Sequence, residues 1–346
     1  MSGRSVPKTG VVIDPRYQEH DAGPGHPECP ERITALLSLV DPVQQGLTAI
    51  PARLASGDEL ALVHDGAYVN DVAATEHKPR FAFDPDTRTS PRSYHTSRLA
   101  AGGFLALLDA IVAGQVDNGF ALVRPPGHHA ERQRAMGFCL FNNVAVGAEY
   151  LRVHHGFRRV LIVDWDLHHG NGTQHMFEGD PEVLYVSTHQ YPYYPGTGAL
   201  DEVGRGDGEG RTVNVALPAG CGDAEYQEAF ARIIVPIAHQ FEPDFVLISA
   251  GFDAHARDPL GGMRVTEGGF QAMTDALLEV ARTHAGGRCA AILEGGYDLE
   301  AMRSSAAVVL GQLQRAHVEQ PAVPSASRAT PLIEHIEGLQ RRYWRF

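Results

Sequence analysis

The stretch Val160 to Gln174, VLIVDWDLHHGNGTQ, constrains this chain more than any other, because a run of apolar β-formers breaks abruptly into carboxylates, imidazoles and glycines. Val160, Leu161, Ile162 and Val163 read as a strand buried on both faces, the kind found in parallel sheets covered by helices. If the extended conformation persists, its period of two sets Asp164, Asp166 and His168 on one side and Trp165 and Leu167 on the other. Two carboxylates and an imidazole then gather at the carboxyl end of a strand, where open α/β sheets bind ligands. A polar loop whose aspartates merely cap the next helix would not need both carboxylates in phase.

The remaining segments repeat the alternation. Gly10–Ile13 is a short apolar run, followed by a Pro- and Gly-rich stretch and a helix from about Ile33 to Val40. Ala61–Ala73 predicts a strand or turn and then a helix, Phe81–Arg92 a loop, and Ser97–Ala113 a helix. Strands are expected at Phe120–Val123, Val160–Val163, Val183–Ser187, Phe245–Ser249 and Cys289–Leu293. Helices are expected at Asn142–His154, Asp223–Gln240, Phe270–Thr283 and Leu299–Arg315. This is the pattern of β-α-β units and a parallel sheet. No linker, internal repeat or low-complexity run divides the 346 residues, so one domain spanning 1–346 is expected, with Glu319–Thr330 its loosest part.

Four of the strands run into chemistry. Phe120–Val123 leads to RPPGHHA with His128 and His129; Val160–Val163 to DWDLHHGNG; Phe245–Ser249 to AGFDAH with Asp253; and Cys289–Leu293 to EGGYD with Tyr297. In a parallel sheet those ends share one edge. Asp166, His168 and Asp253 would form a three-ligand set with a position open to water and substrate, as in catalytic metal sites. Zinc is the first expectation, and the mixed oxygen and nitrogen donors leave iron(II) or another divalent ion open. His128 and His129 supply imidazoles that move protons near neutral pH. Asp164 and Asn171 suit the task of orienting those histidines. The Tyr297 hydroxyl can serve the oxygen of a polarised carbonyl. His20 and His26, in the early loop, receive no role.

Composition removes several classes. With 29 Lys plus Arg against 42 Asp plus Glu, the net charge of −13 argues against a nucleic-acid partner, which needs a basic face. No apolar run reaches the roughly 18 residues of a membrane span, and the start, MSGRSVPKTG, lacks a signal segment, so the cytoplasm and no membrane partner are expected. Cys29, Cys139, Cys221 and Cys289 are too scattered for a disulfide framework or a thiolate zinc site.

RPPGHHA, GFCLFNN, VDWDLHHGNGTQ, GFDAH and LEGGYDL, in that order, resemble the zinc-dependent histone deacetylases and their bacterial relatives, the deacetylase-like amidohydrolases and acetylpolyamine amidohydrolases. The resemblance runs from about Val11 to about Leu310. It implies an arginase-like, three-layer α/β fold around a mostly parallel sheet of about eight strands. It further implies a zinc-dependent amidohydrolase acting on acyl-lysine or a similar acylated amine: Asp166, His168 and Asp253 on one zinc, His129 as general base, His128 as electrostatic or acid partner, Tyr297 as oxyanion donor. Asn171 stands where some members have aspartate, and LEGGYDL is similar to the class II branch. A structural potassium ion held by Asp164, Ser187 and backbone carbonyls near Asp166 and His168 is a further implication.

The same resemblance assigns substrate walls. Phe138 and Tyr194 match the aromatic positions flanking the acyl-lysine channel, the second commonly phenylalanine, while Gly137 beside Phe138 would let a slim alkyl stem pass close to the backbone. Leu260 stands where a glutamate marks relatives preferring cationic polyamines. Asp86 is either the rim carboxylate that grips substrate amides or an ordinary turn aspartate. A two-metal ureohydrolase of the sister family would need further carboxylates where this chain has Gly170 and His255. A silent binding protein would not need the full reactive set. Self-association into a homo-oligomer stays open.

Overall fold

The computed structural model describes residues 6–316 and 326–346. Its ten strands are β1 (Thr9–Val12), β2 (Thr48–Ala49), β3 (Phe81–Ala82), β4 (Arg88–Thr89), β5 (Asn118–Ala121), β6 (Val160–Asp164), β7 (Val183–Gln190), β8 (Thr212–Leu217), β9 (Phe245–Ala250) and β10 (Cys289–Leu293). Eight form one parallel sheet in the order β2-β1-β5-β10-β9-β6-β7-β8, and β3 and β4 make a separate antiparallel pair. The four strands whose ends carry the chemistry, β5, β10, β9 and β6, are therefore consecutive in space. All residues of β5, β6, β9 and β10 are buried, as expected of strands covered by helices on both faces.

Helices flank the sheet, Ser93–Val112 packing against Asn143–His155 and Glu267–His284 against Leu299–Leu313. Local chemistry sets their ends. Asn142 and Asp298 accept from the Ala145 and Ala301 amides, satisfying donors left free at a helix start, and Gly156 closes the second helix at φ 72°.

Several boundaries differ from expectation. The early helix is Glu31–Leu37, opening directly behind Pro30 rather than at Ile33, and the helix expected from Ser97 begins at Ser93. Ala61–Ala73 holds no strand: a short helix, Gly57–Leu60, precedes Gly66–Ala73. Phe81–Arg92 is a loop built around the β3–β4 pair. The run Asp223–Gln240 is helical but widens into a π turn over Phe230–Ile234, just before Pro236, which has no N–H to offer the turn behind it. β8, TVNVAL, was not anticipated. All four cysteines are free. Of the stretch Glu319–Thr330, residues 319–325 lie outside the described residues, and the remainder leads into the helix Thr330–Gln340. Among the described residues no helix is long and apolar enough to cross a membrane.

Candidate active site

At the floor of the sheet edge, one ligand atom each from Asp166, His168 and Asp253 lies within 4.8 Å of the others. The strand ends at Asp164, and the chain turns there, so Asp164 does not join them. Asp166 and Asp253 have no exposed surface, and the His168 side chain keeps 12%. His168 Nδ1 stands 2.9 Å from Asp253 Oδ2 and 3.2 Å from Asp166 Oδ1. Backbone amides tie down the other oxygens: Leu167 N–H donates to Asp253 Oδ1 and Gly295 N–H to Asp166 Oδ2, both at 2.8 Å. Burial, with the Asp166 carboxylate beside it, pushes Asp253 up to about 7, because two carboxylates this close cannot both ionise cheaply without a cation. The separations approach the ~3.4 Å expected between ligands of a tetrahedral ion with bonds of about 2.0–2.1 Å. The donor set fits a divalent metal.

Two histidines stand above this floor, their rings 4.0 Å apart. His128 Nδ1 is 3.0 Å from Asp164 Oδ2, which also accepts from the Tyr185 hydroxyl. Burial alone would lower the His128 imidazole, but the Asp166 and Asp164 carboxylates overrule it and raise it to about 10. His129 is turned to a neutral partner, Nδ1 lying 2.7 Å from Asn171 Oδ1. Burial, with His128 and His168 beside it, pushes His129 well below its ordinary value. The adjacent imidazoles are thus driven apart, one toward the cation and one toward the neutral base.

The Tyr297 ring lies 5.8 Å from Phe138 and beneath the buried Arg32 guanidinium at 5.1 Å. Phe138 has φ +69° and follows Gly137 at φ +56°, so the aromatic is presented by two successive left-handed residues. A Cβ on Gly137 would stand 2.3 Å from the His129 ring. On the side where a Cβ would point, the space beside Gly137 is therefore taken by the His129 imidazole. Tyr194 meets His129 at 5.2 Å and His168 at 6.0 Å, approaching from another direction than Phe138. Its neighbour Tyr193 stacks on His168 and donates its hydroxyl to the Leu260 carbonyl at 2.8 Å. Asp86 accepts from the Thr87 hydroxyl, which in turn accepts from the Phe138 amide, so Asp86 reaches the site through a turn that props the wall. Ser187 lies opposite Asp164 in the β6–β7 register, its hydroxyl 2.9 Å from His189 Nδ1.

Sequence reasoning passed over four supports. Glu294 Oε2 accepts from the Gly127 and His128 amides at 2.6 and 3.1 Å, holding the histidine loop from the end of β10, and burial raises its carboxyl to about 7. Its place directly after a buried strand was the available signal. Asp258 accepts from the Tyr297 and Asp298 amides at 2.6 and 3.2 Å and fixes the tyrosine loop. His26, left without a role, meets Phe138 edge-on at 4.6 Å and hydrogen-bonds the Asp86 carbonyl. Glu131 accepts from Asn171 Nδ2 at 2.6 Å. His20 is buried against Ser93 and Glu28, away from the site.

The comparisons agree with one another. A family model described as the histone deacetylase domain matches residues 26–313. "Histone deacetylase 10, chloroplastic" of Oryza sativa subsp. japonica is 42% identical over 301 residues, covering 82% of this chain and 68% of that protein. "Polyamine deacetylase HDAC10" of Homo sapiens is 42% identical over 333 residues, covering 91% of this chain but 48% of its own length. The crystal structure of the HDA15 HD domain matches with a TM-score of 0.90 at 41% identity, covering 98% of this chain and 96% of that one. The chain thus spans between about half and two thirds of these curated relatives. With the parallel eight-stranded sheet and the buried Asp-His-Asp set already in place, one conclusion follows: the chain belongs to the histone deacetylase family.

Proposed function

We propose that this chain is a one-metal amidohydrolase that removes an acyl group, foremost acetyl, from a primary amine such as the lysine ε-amine, and that it works as one domain. The observation that carries this reading is the convergence of four consecutive strand ends on a buried Asp166-His168-Asp253 set, with two differently tuned histidines and a tyrosine around it. Asp166, His168 and Asp253 would hold a zinc ion, which when bound would supply Lewis-acid chemistry for the amide carbonyl and the attacking water. His129, kept neutral, takes the water's proton at Nε2, since its Nδ1 is engaged with Asn171. His128, its Nδ1 held 3.0 Å from the Asp164 carboxylate, offers positive charge beside the reacting centre and a proton for the departing amine. The Tyr297 hydroxyl donates to the oxygen as it gains negative charge. Phe138 and Tyr194 wall the approach and keep bulk water from the acyl group.

The potassium ion implied by the resemblance belongs to the same proposal, at Asp164 and Ser187 with backbone carbonyls near Asp166 and His168; the burial of both side chains and their facing register support it. Metal analysis with a fluorogenic acetyl-lysine assay on purified protein tests the reading. One chelator-removable metal per chain and chelator-sensitive hydrolysis are expected; two tightly held metals, or hydrolysis indifferent to chelation, would overturn it. Acetylspermidine belongs in the same assay. Leu260 puts no charge at the rim to meet a cationic polyamine, so acetyl-lysine is expected to be the better substrate.

A further inference from the structure

We infer that Glu131 is a positioning residue for the base, deciding which way round the Asn171 carboxamide sits and thereby which nitrogen of His129 carries the proton. The inference rests on the reading of His129 as general base. An aspartate beside an imidazole accepts from Nδ1–H whichever way it is turned. A carboxamide is not symmetric: one end accepts and the other donates. If Asn171 turned its Nδ2 toward His129, it would donate to Nδ1, the ring proton would move to Nε2, and the nitrogen that should receive the water's proton would already be occupied.

The surroundings of Asn171 exclude that arrangement. Its Oδ1 faces His129 Nδ1 at 2.7 Å, while its Nδ2 faces Glu131 Oε1 at 2.6 Å and the His129 carbonyl at 3.3 Å. Turning the amide over would set its oxygen against a carboxylate and a carbonyl, exchanging a charge-assisted hydrogen bond for repulsion. Glu131 is itself held on both sides. Its backbone N–H donates to the Arg134 carbonyl at 2.8 Å, and the ring of His175 lies 2.8 Å from the same Oε1. His175 sits on the helix Asn171–Phe177 that Asn171 begins, so both ends of the support share one element. An asparagine in place of an aspartate creates the ambiguity, and the carboxylate two residues beyond the base removes it.

A double-mutant cycle tests this. Glu131→Met removes the acceptor at similar length and should lower kcat about tenfold with KM little changed, the loss typical of a group that orients a ligand or base. Glu131→Gln, which can still accept from Nδ2, should recover most of that loss. In an Asn171→Asp background, where either carboxylate oxygen serves His129, adding Glu131→Met should cost less than about twofold, since the two changes act through one contact. In 15N-histidine-labelled protein, with the His129 signals assigned by their loss in His129→Ala, the ring should carry its proton on Nδ1 in the parent and on a mixture of nitrogens in Glu131→Met. Equal losses in both backgrounds, or an unchanged tautomer in Glu131→Met, would overturn the inference. If the parent hydrolyses no acylated amine, the functional reading fails by itself, and the ring signals still decide the orientation of Asn171.

Discussion

At the floor of the site Asp166 and Asp253 expose nothing, and each passes one oxygen to a backbone amide of a neighbouring loop. At the rim Tyr193 and Tyr194 expose 40% and 38%, and Phe138, Tyr194 and His26 meet their neighbours through ring edges. The floor is fixed by strand register and by the cost of leaving buried charge unpaired, both of which penalise small displacements. Ring contacts on loops give shape but tolerate adjustment. Chemistry and selection are thus held by different forces, and should respond differently to change.

The largest effect is expected at the floor. Asp166→Ala or Asp253→Ala strips one of three protein ligands and should abolish bound metal and turnover together; full metal content with parental turnover in either variant would refute the ligand assignment. Next is Tyr297→Phe, which keeps the ring on Phe138 and under Arg32 but deletes the hydroxyl. Its kcat should fall by about 10² to 10³, equivalent to about 3–4 kcal/mol, with metal content intact. A kcat within about threefold of the parent, small beside the loss of an oxyanion donor, would return Tyr297 to the ranks of packed aromatics.

A third test separates floor from rim by pH. Without metal, burial and the Asp166 carboxylate raise Asp253 to about 7, while burial opposes charge on His168 and the Asp166 and Asp253 carboxylates overrule it, raising His168 to about 9. Raised values mean that the folded chain holds protons the unfolded chain would release. The stability they contribute is full at low pH and fades as pH climbs through 7 and then 9. Zinc must expel those protons, so the rise in melting temperature on adding zinc should be greater at pH 8 than at pH 6. A zinc-induced shift that does not depend on pH would contradict the proposed ligands. The smallest effect belongs to the rim. Tyr194→Phe should keep kcat on acetyl-lysine within about threefold while changing the ratio of acetyl to longer acyl substrates by about tenfold, the low end of what a methylene's worth of wall discriminates. A collapse of turnover would place Tyr194 with the floor.

The parts that were legible in the sequence are those specified locally. VLIVD and FVLISA announce buried strands by composition, and their junctions with Asp166, His168 and Asp253 follow from strand ends sharing one edge. What escaped depends on partners distant along the chain. Glu294 reaches Gly127 across 167 positions, and His26 reaches Asp86 across 60. His26 carries no local pattern that separates it from a surface histidine, and the place of Glu294 directly after a buried strand marks the residue without showing which amides it holds. TVNVAL was overlooked for another reason. It follows a glycine-rich loop that holds one 3-10 turn, Gly206–Gly208, and no α-helix, so the alternation that marks the other strands is missing there.

Two glycines at the floor bear on how such a site is recognised by experiment. A Cβ on Gly251 would fall 2.0 Å from Asp166 Oδ2, and one on Gly295 would fall 2.4 Å from Asp253 Oδ2. Neither residue has a functional group, yet any larger side chain must displace a carboxylate. In a saturation scan scored by turnover, both positions would rank with the metal ligands, and a map of intolerance alone would count them as chemistry. Only the size of the smallest harmful change tells them apart: adding one methyl group is enough at the glycines, whereas at the aspartates the damage comes from losing the charged oxygens.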